Sequence, residues 1–179
     1  MRKLENIELN RMDVDEFKKS KKIPLTIILD NIRSLSNVGS VFRTSDAFLV
    51  KEIILCGITA KPPQKEIQKT ALGATDSVDW RYFESTFDAV KELQSKGTVV
   101  WAVEQAEEKL WANSFDLPKK DLALVFGNEV KGVSEEVMSI VDDCVEIPQF
   151  GTKHSLNISI SAGIMIWEIF KKLDRKKGD

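Results

Sequence analysis

The chain has 179 residues, 42% hydrophobic and 30% charged, with a formal net charge of −2 at pH 7. That length suits one domain with a core of its own, and the composition is ordinary for a soluble globular protein. No apolar run reaches the roughly 18–20 residues of a membrane span, the opening MRKLENIELN has no signal-peptide core, and the slight negative charge speaks against a protein that coats nucleic acid with positive surface.

Residues 10–20 read as a short lead-in helix closing on Lys18, Lys19, Lys21 and Lys22. Leu25–Asp30 (LTIILD) is a continuous apolar run of buried-strand length. Asn31–Asn37 is a polar loop, Val38–Phe48 has helical spacing, and Glu52–Cys56 is a second strand. Pro62-Pro63 breaks the chain before a short helix through Ile67 and Leu72. Val78–Phe83 is strand-like, Thr86–Gln94 helical, and Thr98–Val103 another buried strand. After a loop with Trp111 and Pro118 come strand Leu122–Phe126, helix Glu135–Val141, strand Cys144–Ile147 and a last helix, Leu156–Phe170. The alternation predicts an α/β fold, a mostly parallel sheet with helices on both faces.

The last helix is apolar most of the way round, with only Asn157, Ser161 and Glu168 forming a polar line. Such a helix needs cover on several sides, and a second subunit is the expected source, so a homodimer is expected. Cys56 and Cys144 lie in apolar strand contexts, with no CxxC and a single histidine. They read as buried thiols of a reducing compartment, which predicts a cytoplasmic, metal-free protein. The basic clusters at Lys18–Lys22 and at Lys171, Lys172, Arg175, Lys176 and Lys177 read either as solvated helix ends or as phosphate contacts.

Three loops, each after a predicted strand, carry the polar residues that chemistry needs. In DNIRSLSNVGSVFR, Asn37 is placed to cap the following helix, and Gly39 and Arg43 share one helical face, where a ligand could approach the backbone beneath a guanidinium. In LVFGNEVKGVS, Gly127 and Gly132 flank Glu129, and Ser134 is positioned to cap the next helix. In GTKHSLN, His154 and Ser155 are neighbours, a poor geometry for a hydrolytic dyad. Neither a GxxxxGK[ST] phosphate loop nor GxGxxG is present.

In this order the loops resemble the three signature motifs of the SpoU family of RNA ribose 2′-O-methyltransferases, in the SPOUT superfamily. Asn37, Gly39 and Arg43 match the first motif, LVFGNEVKG the second, and IPQFGTKHSLNIS the third, with Gln149 standing where the family usually has an apolar residue. The likeness runs from about Leu25 to Phe170. It implies an α/β knot, with a C-terminal trefoil threaded by the loops after Val103, at Gly127 and from Ile147 to Leu156. S-adenosyl-L-methionine would be held by Val103, Gly127, Ile147 and Leu156, largely through backbone groups. It further implies methyl transfer to a ribose in structured RNA, tRNA or rRNA, by a homodimer without metal or membrane attachment. Asn37, Arg43, Glu129, Ser155 and Asn157 would form the catalytic set. Arg43 would then clamp RNA phosphate or take part in deprotonating the 2′-hydroxyl, and Glu129 would pair with Arg43 or Asn37. The implied division is an N-terminal extension, 1–24, a methyltransferase domain, 25–173, and a basic tail, 174–179. The rival reading is a non-catalytic RNA-binding protein that kept the fold.

Overall fold

The computed structural model describes residues 1–175, so Lys176 and Lys177 of the predicted basic tail lie outside the described residues. Seven strands, β1 (Ile23–Asp30), β2 (Val50–Cys56), β3 (Trp80–Phe83), β4 (Val99–Val103), β5 (Leu110–Trp111), β6 (Leu122–Phe126) and β7 (Asp143–Glu146), form one sheet. Its order is β3-β2-β1-β6-β4-β7-β5, and every pairing is parallel. The helices are α1 (Val14–Lys19), α2 (Leu35–Ala47), α3 (Lys65–Ala71), α4 (Ala74–Ser77), α5 (Thr86–Ser95), α6 (Glu135–Met138) and α7 (Ile158–Arg175).

The run LTIILD has no alternation because both of its faces are buried. Leu25, Ile27 and Leu29 join a core with Val38, Val41 and Phe42 of α2 and Ala162, Met165 and Ile166 of α7. Ile28 faces the other way, with Val100, Ala102, Ala123, Val125 and the α5 residues Ala89, Val90 and Leu93. Helices therefore cover both faces, as a parallel sheet requires. Cys56 and Cys144 are free and buried in the second core, and burial pushes the Cys56 thiol up to about 12.

The register places the functional loops. Leu29 pairs with Phe126, Phe126 with Val103, and Val103 with Val145, so β1, β6, β4 and β7 end side by side. Their following loops open on one edge of the sheet, the carboxyl edge where open α/β folds bind ligands.

Several boundaries move. β5 lies in the predicted loop around Trp111; two residues are too few for a periodic signal, and pairing with β7 alone defines them. The helix predicted through Leu72 ends at Ala71, where Leu72 takes a left-handed conformation. The helix predicted over Glu135–Val141 closes after Met138. At α1, Asp13 and Glu16 form a reciprocal capping box, and buried Phe17 anchors the helix. Lys22 turns inward over the Phe17 ring and donates to the Phe17 and Ser20 carbonyls, so it closes α1 and is not a free cation. Lys171 pairs with Glu168 at 2.6 Å, and Lys172 lies over the Phe115 ring.

The last helix is apolar for two different reasons. Ile158, Ala162, Met165, Ile166 and Ile169 are buried within the chain itself. Ile160 and Trp167 keep 55% and 47% of their surface exposed. Trp167 belongs to an aromatic group with Phe48 and Phe170, ring centroids 5.3–6.1 Å apart.

Candidate active site

The N-terminus of α2 is the first component. Its cap is Ser34, whose Oγ accepts from the Asn37 amide at 3.3 Å, so Asn37 is not the cap. A helix that starts three residues earlier than predicted leaves Asn37 in the first turn, nearly buried, with its side chain reaching Glu129 and Asn157. Gly39 serves packing rather than a ligand: a Cβ there would collide with Thr70 Oγ1 and the Ile67 carbonyl of α3.

The second component is the loop after β6. Gly132 has φ +67°, and a side chain at Gly127 would collide with the Gly132 and Val133 backbone. These glycines thus let the loop fold closely on itself. Asn128 organises it, accepting from the Val130 and Lys131 amides at 3.0 and 3.1 Å while donating to the Asn31 carbonyl at 2.7 Å. Ser134 makes no side-chain cap on α6; its amide donates to Asp30 Oδ2 at 3.4 Å.

This fold brings Glu129 onto the α2 terminus. The Arg33 and Ser34 amides each donate to its carboxylate at 3.0 Å, and Asn37 Nδ2 donates at 3.4 Å. Asn157 Nδ2 in turn donates to Asn37 Oδ1 at 3.1 Å. Burial by itself would raise the Glu129 carboxyl, but the amides of Arg33, Glu129 and Ser34 and the Asn37 side chain outweigh it and hold it below the usual carboxylate range. An ionised carboxylate at a helix N-terminus also suits the helix dipole. With its lone pairs engaged by donors, Glu129 is suited to orientation rather than proton abstraction. It pairs with Asn37 and not with Arg43. Arg43 is exposed on α2 with no hydrogen bond or ion pair to the described residues.

A cleft of about 750 Å³ opens beside this network. Val103, Gly127, Ile147 and Leu156 all line it, as do Glu129, Ser155 and Asn157. Gln105 Nε2 donates to the His154 carbonyl at 2.7 Å, tying the segment after β7 to the loop after β4. Arg43 is absent from the lining.

Sequence reasoning missed four contributors. Glu104, next to Val103, lines the cleft, and its carboxylate accepts from the Val133 amide at 3.2 Å and the Gln105 amide at 2.9 Å. Asp30, 2% exposed, accepts from Thr86 Oγ1 at 2.5 Å and from the Ser134 amide. Asn31 and Asn128 join the first two loops. For Asp30 the available signal was a carboxylate closing an otherwise apolar strand; the others carry no local signal.

The conserved pattern of the SpoU rRNA Methylase family matches residues 24–167, which contain the whole cleft. The chain belongs to that family. Among curated relatives, the tRNA (guanosine(18)-2′-O)-methyltransferase of Thermus thermophilus is 29% identical over 164 residues, covering 92% of this chain and 83% of the relative. Among solved structures, the A. aeolicus TrmH/SpoU tRNA modifying enzyme superposes with a TM-score of 0.79 at 26% identity, over 90% of this chain and 80% of that one. An AdoMet-bound rRNA methyltransferase from Sinorhizobium meliloti gives a TM-score of 0.79 at 28% identity, over 89% of this chain and 60% of that one. The SpoU family assignment and the α/β sheet with helices on both faces therefore agree with the sequence reading.

Proposed function

We infer that this SpoU-family chain is an S-adenosylmethionine-dependent methyltransferase acting on a ribose 2′-hydroxyl of tRNA or rRNA. The observation that carries the reading is that the second and third motif loops line one cleft while the first is tied to both at its edge, with Asn157, Asn37 and Glu129 hydrogen-bonded in series. A non-catalytic relative would have no need to keep that polar series intact.

The lining fits the cofactor. Its volume lies in the range of small-molecule sites, and aliphatic Val103, Ile147 and Leu156 suit an adenine face. The Glu104 and Glu146 carboxylates also line the cleft, offering negative charge to a ligand that carries ammonium and sulfonium groups; Glu146 shares its charge with Lys109 at 2.6 Å. When bound, S-adenosylmethionine supplies an electrophilic methyl group. Val103, Gly127, Ile147 and Leu156, which line the cleft, would hold it, chiefly through backbone groups. The chain's remaining task is alignment of the ribose oxygen and removal of its proton. Asn37 and Asn157 orient the sugar, Glu129 fixes Asn37, and Ser155 borders the ribose. Arg43 clamps RNA phosphate, a role suited to a guanidinium that stays protonated up to a pKa above about 12.

Three further parts belong to this reading. The trefoil knot is supported by the chain path: β7 lies beyond β4 in the sheet, yet the segment after it returns past Gln105 to bring Asn157 to Asn37. The homodimer is supported by Ile160 and Trp167, apolar and exposed on α7; Ile166, buried within the chain, is no part of that face. The domain division 1–24, 25–173 and 174–179 keeps α1 as an extension docked through Phe17. A cytoplasmic, metal-independent enzyme belongs to the same reading, and two free buried thiols support a reducing compartment.

Calorimetry with S-adenosylmethionine and S-adenosylhomocysteine in EDTA, followed by labelled methyl transfer to bulk tRNA and rRNA, tests the reading. Binding of both ligands and nuclease-resistant ribose methylation are expected. Absence of binding by folded protein would overturn it.

A further inference from the structure

Phe150 is 98% exposed. Single exposed hydrophobic residues are common and need no explanation. This one differs from the rest of its kind in the chain. The other eight phenylalanines are buried or lie against an aromatic ring or a cation. Phe150 has no such partner among the described residues.

Its position is equally specific. Gln149 and His154 line the cleft, and residues 150–153 between them are exposed and lie outside its lining, so Phe150 stands on a tip bordering the cleft. Lys153 is exposed on the same tip. The loop after β6, which also borders the cleft, repeats the chemistry, with Val130 76% exposed beside exposed Lys131. An apolar side chain and a cation thus stand on each of two loops that border the cleft. A nucleotide presents the complement, a flat π-face and a phosphate, and every base has such a face. A protein surface is a poorer match, since lysine is depleted from the cores of protein–protein interfaces.

We propose that Phe150 stacks on a base of the substrate RNA beside the target ribose, making it a positioning residue for the nucleic acid. This rests on the methyltransferase reading above. The ring holds the strand in the cleft mouth while Lys131 and Lys153 meet flanking phosphates. Stacking is tolerant of base identity, so the contact governs affinity and placement more than sequence choice.

Because Phe150 makes no packing contact, its substitution leaves the fold intact and the test is clean. The full-length protein is compared as wild type, Phe150→Ala, Phe150→Leu and Phe150→Tyr. Steady-state methylation, filter binding of the same RNA and calorimetry with S-adenosylmethionine are read together. Ala and Leu should raise the KM and Kd for RNA about ten-fold, the scale of one lost base–aromatic stack. Cofactor affinity and kcat at saturating RNA should stay within about two-fold of wild type, and Tyr should restore RNA binding. Leu performing as well as Tyr would overturn the proposal, as would unchanged RNA affinity in Ala. Weakened cofactor binding would make the tip a cofactor lid, and a changed oligomeric state would make it a subunit contact; either also refutes stacking. A wild type that neither binds the cofactor nor methylates RNA would instead remove the functional reading itself.

Discussion

Replacing Glu129 by Gln tests the polar series at the cleft edge through stability and pH together. Glutamine keeps the shape but turns one acceptor oxygen into an amide group. One of the two backbone donors, Arg33 N or Ser34 N, each at 3.0 Å, then faces another donor. A hydrogen bond to a charged group contributes about 1.5–3 kcal/mol, and a charge at a helix N-terminus about 0.3–1 kcal/mol. Glu129 is solvent-exposed, so the lower part of that range applies and the loss should be about 1–2 kcal/mol. For a chain of this size that corresponds to a fall in Tm of about 3–6 °C. The sign of the pH dependence follows from the direction of the shift. The folded carboxyl lies below its ordinary value, so its contribution is fully present above the unfolded pKa and disappears as pH falls through the folded one. Thermal denaturation of both proteins should give a Tm difference that is constant near neutrality and closes below pH ~4. A difference that is absent near neutrality, or that persists unchanged in acid, would refute the docking of Glu129 on α2. Methyl transfer in the variant should also fall, because Asn37 loses its partner.

Three further outcomes can be measured. Arg43→Ala should leave S-adenosylmethionine affinity unchanged by calorimetry, since Arg43 does not line the cleft, while methyl transfer falls at least ~100-fold; Arg43→Lys should rescue little because a point charge cannot reproduce a bidentate fork. Ile160→Glu combined with Trp167→Glu should give a folded monomer by light scattering, whereas Ile166→Glu should lose the native fold by circular dichroism, because it buries a charge in the chain's own core. Asn157→Ala should remove the contact to Asn37 and reduce methylation of labelled RNA, and full activity in that variant would dissociate the polar series from the reaction.

The residues determined the strand–helix alternation, the two-faced burial of LTIILD, and the identity of three polar loops, two of which line a common cleft, because each of these is written in local runs and spacings. Val103, Gly127, Ile147 and Leu156 were placed together by a motif resemblance, and register explains why: the strands that precede those loops end side by side. Tertiary structure alone decided what each side chain meets. Asn37 looked like a cap, but Ser34 takes that role and Asn37 reaches Glu129, 92 residues away. Gly39 answers to α3, and Ile158, Ala162, Met165, Ile166 and Ile169 of α7 are covered from within the same chain, so Ile166 does not report on a partner. Two-residue β5 exists only because β7 pairs with it. Phe150 falls in the third motif loop in the sequence, and only the path of that loop leaves it in solvent. Hydrophobic periodicity records that a face is buried without recording against what, and a hydrogen bond between distant loops leaves no trace in either local sequence.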